Sequence, residues 1–125
     1  MDLEYLQKNF VYKSDDKQNS WRILDKNDLV GDCEDYALTA LYILSGESMT
    51  RFFLALIFGT AKIKYCKITN GMGHAVLKYK GKYTDNIQRK WVQENHLDAR
   101  AYDLSGNSYL WFITLYNLAR DKSHA

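Results

Sequence analysis

The stretch from Asp32 to Gly46 constrains this chain most, because it reads as a helix with both ends specified. Asp32 is a good N-cap, Glu34 and Asp35 fall in the first turn where the helix dipole favours acids, and Gly46 is a natural stop just past the end. Ala37, Ala40, Leu41 and Leu44 recur at helical spacing and Tyr36 and Ile43 widen the stripe, so the helix is expected to be largely buried. A chain of 125 residues, 46% of them hydrophobic, can enclose one sizeable core but not two. Residues 1–125 are therefore expected to form one domain around this helix.

The flanking segments complete the picture. Leu3, Leu6 and Phe10 make an amphipathic entry arm, KSDDKQNS reads as a loop before Trp21, and the run from Asp25 to Asp32 is polar and turn-rich. With Ser48 as cap, a second helix is the preferred reading through Phe58 to Gly59, although FFLALIF would also serve as a buried strand and periodicity alone does not separate the two. Segments 61–69, 73–80 and 82–86 read as strands, with Lys80-Gly81-Lys82 as a tight hairpin turn, and RAYDLS and SYLWFIT flank Gly106-Asn107 as a further hairpin. A core helix followed by antiparallel strands is an α+β arrangement.

Composition excludes several classes. With 17 basic and 15 acidic residues the net charge is +2, which leaves neither a nucleic-acid footprint nor an acidic tail. The basic residues in 62–67, 78–82 and 89–90 read as a solvated sheet surface. Two cysteines leave room for one disulfide but are fewer than a small scaffold stapled by disulfides usually carries. MDLEYLQKNF has no basic segment followed by an apolar core, and the longest apolar run, Phe52 to Phe58, is far short of the about 20 residues of a membrane span. No nucleic-acid or membrane partner is expected, and the location is expected to be cytoplasmic.

Thiol chemistry needs a thiolate, an imidazole beside it and a group that holds the imidazole. Cys33 falls at the first helical position, where unpaired N–H groups and the dipole favour a negative sulfur and can help hold an oxyanion. Asp32, Glu34 and Asp35 work against this by surrounding the thiol with negative charge. His74 opens a strand behind Gly71-Met72-Gly73. With the turn at Lys80-Gly81-Lys82, hairpin partners sum to about 161 or 162, which brings Asp85 within a few residues of His74 across the ladder. A lone cysteine in an apolar helix is more often inert, a description that fits Cys66 and not Cys33. There is no CxxC pair and no close pair of histidines, so structural zinc is not expected. Asp32, Glu34 and Asp35, with Asp25 and Asp28 upstream, leave calcium as a candidate ligand, against the plainer use of these acids as caps and loop solvation.

Together, Gly31-Asp32-Cys33-Glu34-Asp35-Tyr36-Ala37, then His74-Ala75-Val76-Leu77, then Asp85-Asn86 resemble the three signature blocks of bacterial transglutaminase-like cysteine proteinases. The likeness covers about residues 12 to 113 and includes Trp21, which resembles an aromatic residue found ahead of the family's nucleophile. It implies a papain-like, transglutaminase-like fold in which the Cys heads a core helix packed on an antiparallel sheet carrying His and Asp. The implied triad is Cys33, His74 and Asp85, with Trp21 and Asn86 as supports of the oxyanion region. Some relatives are periplasmic calcium-dependent proteases, and by position Asp32 and Glu34 resemble their calcium-binding acids; no cofactor is otherwise required. The segment from Ser48 to Thr60 is longer than the family's usual connection, and Thr84 replaces its usual Leu. Small members occur in bacteriophages, which would place the protein in a host cytoplasm. The expected activity is hydrolysis of a peptide or isopeptide bond in a protein or peptide substrate. Acyl transfer to an amine, a non-catalytic binding module on the same fold and a virion component are the alternatives, and the oligomeric state is left open.

Overall fold

The computed structural model describes residues 1–13, 21–68, 73–99, 102–103 and 108–122. Helix α1 (Leu3–Asn9) starts at Asp2, whose carboxylate accepts from the Tyr5 N–H at 2.8 Å, and it buries Leu6. Phe10 then packs edge-on to the Tyr36 ring, 5.1 Å between centroids. Strand β1 (Val11–Tyr12) runs parallel to β2 (Val30–Gly31), with Val11 opposite Val30 and Tyr12 opposite Gly31. This short clip was not anticipated, and it delivers the chain to the start of the central helix from a fixed direction.

Helix α2 (Cys33–Leu44) has the expected cap and more. Asp32 accepts from the Asp35 N–H at 3.1 Å while Asp35 accepts from the Asp32 N–H at 3.2 Å, so each carboxylate satisfies an amide that the first helical turn leaves open. Every residue from Asp35 to Leu41 is buried, which fits a helix enclosed on most sides. Gly46 takes φ +69° just beyond the Ser45 C-cap, the left-handed stop that glycine adopts without steric cost. Helix α3 (Met49–Ile57) follows, with Ser48 as its N-cap.

Strands β3 (Ala61–Lys67), β4 (Gly73–Tyr79) and β5 (Lys82–Thr84) form an antiparallel sheet in sequence order. Period-2 alternation sends Ala61, Ile63, Ala75 and Leu77 to the cluster that contains α2, and Cys66, Val76 and Tyr83 to a second cluster with Val92, Leu97 and Tyr102. Leu97 of α4 (Glu94–Ala99) belongs to the second cluster. The α+β class holds.

Two expectations are corrected. The strand read from Lys82 to Asn86 ends at Thr84, because the Asp85 carboxylate accepts from the Ile87 and Gln88 N–H groups and folds the chain into a turn. SYLWFIT is not a hairpin strand: Ser108 makes a single bridge to Lys64, and helix α5 (Trp111–Lys122) begins three residues later. Trp111, Phe112 and Ile113 looked like strand residues because aromatic and β-branched residues favour strands, but Thr114 and Leu118 repeat at helical spacing and are the buried positions. The proposed turn at Gly106-Asn107 lies outside the described residues. No single helix among the described residues is long and apolar enough to cross a membrane.

Candidate active site

The site forms where β5 stops short of β4. Pairs Leu77–Thr84, Lys78–Tyr83 and Tyr79–Lys82 sum to 161, the anticipated register, and past Thr84 the ladder ends. His74 and Asp85 both lie beyond that end. Their side chains meet directly: His74 Nε2 is 2.8 Å from Asp85 Oδ2, with the two residues 4% and 1% exposed. Asp85 is held from three sides. Its Oδ1 accepts from the Ile87 and Gln88 N–H groups at 3.1 and 2.6 Å, and its Oδ2 also accepts from the Tyr102 hydroxyl at 2.7 Å. Burial alone would raise this carboxyl, but His74, the Gln88 N–H and the Tyr102 O–H together hold it below the ordinary carboxylate range. Nε2 is therefore engaged by Asp85.

Cys33, at the start of α2, lies by Ala75 of β4, but no contact between its sulfur and the His74 ring is found among the described residues. The main-chain N–H of Ala75, the residue next to His74, favours a negative charge on the Cys33 sulfur. The thiol is half-buried and its S–H donates to Glu34 Oε2 at 3.1 Å. Burial first, and then the Glu34 carboxylate, push this thiol well above its ordinary range, while the Ala75 N–H acts the other way. Burial, which the sequence did not show, and the acidic neighbours favour the protonated thiol, and its S–H is turned toward Glu34.

The acids around Cys33 have defined duties. Asp35 also accepts from the Arg22 N–H at 2.9 Å, which ties the segment after Trp21 to the helix start. Burial moves its carboxyl up to about 6, and burial together with neighbouring Asp35 and Glu34 moves that of Asp32 up to about 8. Upstream, Asp25 accepts from the Asn27 N–H at 2.9 Å within a turn. Among the described residues, no group of three or more His, Cys, Asp or Glu side chains is gathered as a metal ion would need. The candidate calcium acids, Asp32 and Glu34, are occupied by the helix cap and by the Cys33 thiol.

Trp21 is buried and packs edge-on to Tyr109 at 4.7 Å between centroids, with Tyr65 a further 6.5 Å beyond Tyr109. Trp21 belongs to the core cluster against which Cys33 and Tyr109 pack. Asn86 is buried, its carbonyl accepts from Arg89 Nε at 2.7 Å, and its Oδ1 has no hydrogen-bond partner among the described residues.

Three placements were not read from the sequence. Tyr102 is one, since no spacing rule ties it to Asp85. Gly31 is another: a Cβ there would lie 2.6 Å from Asp35 Oδ2, so glycine is what lets the carboxylate close the capping box. The third is Cys66, which stands directly opposite His74 in the β3–β4 register yet is 1% exposed, with its thiol pushed up to about 11 by burial. The β3–β4 pairing that places it could have been read only with the connection between the strands known.

Compared with protein-family models, with curated proteins and with solved structures, the chain gives no match.

Proposed function

We propose that the chain is a cysteine hydrolase of peptide or isopeptide bonds, on a papain-like, transglutaminase-like arrangement, with Cys33 as nucleophile, His74 as base and Asp85 as the residue that orients the base. The observation that carries this reading is the buried His74–Asp85 pair, 2.8 Å apart, one residue along β4 from Ala75, whose amide favours a negative Cys33 sulfur. Cys33 is favoured over Cys66 as nucleophile because it is the more accessible thiol and heads a helix.

The steps follow from the residues. Cys33 turns from Glu34 toward His74, and Nδ1 takes its proton. Sγ attacks the substrate carbonyl, the imidazolium returns the proton to the leaving nitrogen as the C–N bond breaks, and an acyl thioester remains. Water, deprotonated by the same imidazole, cleaves the thioester and restores the thiol. An amine in place of water would make the same chemistry an acyl transfer.

One observation favours a second reading, a protein-binding module on the same fold: the Cys33 proton is held by Glu34. Iodoacetamide labelling at pH 7.5, read separately at Cys33 and Cys66 by mass spectrometry, tests both. The hydrolase reading expects Cys33 to label at least about tenfold faster than Cys66 and to lose that advantage in His74→Ala. Slow Cys33 labelling that ignores His74 would instead support the binding module.

A further inference from the structure

We propose that Tyr102 is a positioning residue of this site, fixing the Asp85 carboxylate against His74; the inference rests on the catalytic reading above. Its hydroxyl and His74 Nε2 share one oxygen, Asp85 Oδ2, at 2.7 and 2.8 Å. Its ring also stands edge-on to the imidazole, with centroids 5.7 Å apart and planes at 79°. Tyr102 thus touches both partners of the pair. The two amide bonds to Oδ1 fix one end of the carboxylate and leave it a pivot; the Tyr102 hydroxyl stops Oδ2 from swinging about that pivot.

Tyr102 is itself anchored. Its N–H donates to the Leu97 carbonyl at 3.0 Å, at the C-terminal part of α4, and the Asp103 N–H donates to the Lys67 carbonyl at 2.8 Å, on the edge of β3. The residue is 7% exposed within the second apolar cluster, so its hydroxyl is aimed at Asp85 by packing and main-chain bonds. Among the described residues, Cys66 from β3 and Tyr36 from α2 feel the Asp85 charge, and the Arg89 N–H donates to the Asp85 main-chain carbonyl at 2.9 Å.

Tyr102→Phe keeps the ring and its packing but removes the hydroxyl, so Oδ2 is free to swing and the His74–Asp85 hydrogen bond opens more often. The experiment follows the His74 ring N–H in that bond by NMR, through its exchange with water, in wild type, Tyr102→Phe and Asp85→Asn, with His74→Gln assigning the signal among the three histidines. Exchange is expected to be faster in Tyr102→Phe than in wild type by roughly fivefold, and faster still in Asp85→Asn. An exchange rate in Tyr102→Phe equal to that of wild type, with a normal melting curve, overturns the proposal. Should Tyr102→Phe melt early, Leu97→Val, which loosens the same apolar cluster and keeps the hydroxyl, serves as the packing control: its exchange is expected to stay at the wild-type rate, and exchange as fast as in Tyr102→Phe overturns the proposal. Failure of the catalytic reading shows elsewhere, as His74-independent labelling of wild-type Cys33 by iodoacetamide, while the ring N–H still reports what Tyr102 does to the pair.

Discussion

Gly31→Ala tests how the helix start is built. A Cβ at Gly31 would lie 2.6 Å from Asp35 Oδ2, 2.9 Å from Asp35 Cβ and 3.1 Å from its Cγ. Asp35 cannot step aside, because it is buried and its two oxygens accept from the Arg22 and Asp32 amides. Displacing it removes half of the capping box, worth about 1 kcal/mol, and weakens a bond to a charged acceptor, worth about 1.5–3 kcal/mol. The stiffer unfolded chain returns about 0.4–1 kcal/mol. The net expectation is a loss of about 2–3 kcal/mol, or roughly 6–12 °C in melting temperature for a chain of this size. Gly73→Ala is the internal comparison. Its Cβ would lie just as close, 2.5 Å, to the Tyr65 hydroxyl, but Tyr65 is 39% exposed and can swing outward, so its cost is expected to stay below about 1 kcal/mol. Urea denaturation of both variants, with Asp35→Ala and the Gly31→Ala/Asp35→Ala double variant, closes a cycle in which the double change costs less than the sum of the singles. Equal losses at Gly31 and Gly73, or strict additivity with Asp35, would refute the reasoning.

The remaining expectations concern the thiol and the acids. Cys33→Ala should abolish turnover of any peptide substrate while leaving the melting temperature near that of wild type, whereas Cys66→Ala, which empties a buried position, should lower stability by about 1 kcal/mol or more and spare labelling of Cys33. Glu34→Gln removes the carboxylate that helps hold the Cys33 proton, so iodoacetamide should label Cys33 faster at pH 7.5 than in wild type; an unchanged rate would show that Glu34 does not set the thiol. Asp32 and Asp35 have folded values, about 8 and about 6, above the ordinary carboxylate value. Their stabilising contribution is therefore complete below about pH 4 and is lost as pH rises through 6 and 8. Asp85 is depressed, so its contribution is present above about pH 4 and lost only in stronger acid. Melting temperature should thus fall from pH 5 to pH 8.5, and Asp32→Asn, which retains a good N-cap, should flatten that slope.

How much of this was legible depends on the range of the interaction concerned. The core helix was readable because caps and periodicity are local: Asp32, Asp35 and Gly46 act within one turn of the residues they serve. The β4–β5 register was readable because Gly81 fixes a tight turn and the ladder counts outward from it. Where strand propensity met a helix, as at Trp111 to Ile113, local preference misled, because the burial of Thr114 and Leu118 decides the element.

The sequence by itself determined the capped helix with Cys33 at its head, the hairpin that carries His74 toward Asp85, and the α+β class, since each depends on neighbours a few residues apart. Only the tertiary structure decided that Tyr102 closes on Asp85 from 17 residues away, that Cys66 stands across from His74, and that the Cys33 proton rests on Glu34. Those outcomes depend on packing between distant segments and on the balance of burial against charge, and neither has a period or a spacing that a one-dimensional reading can detect.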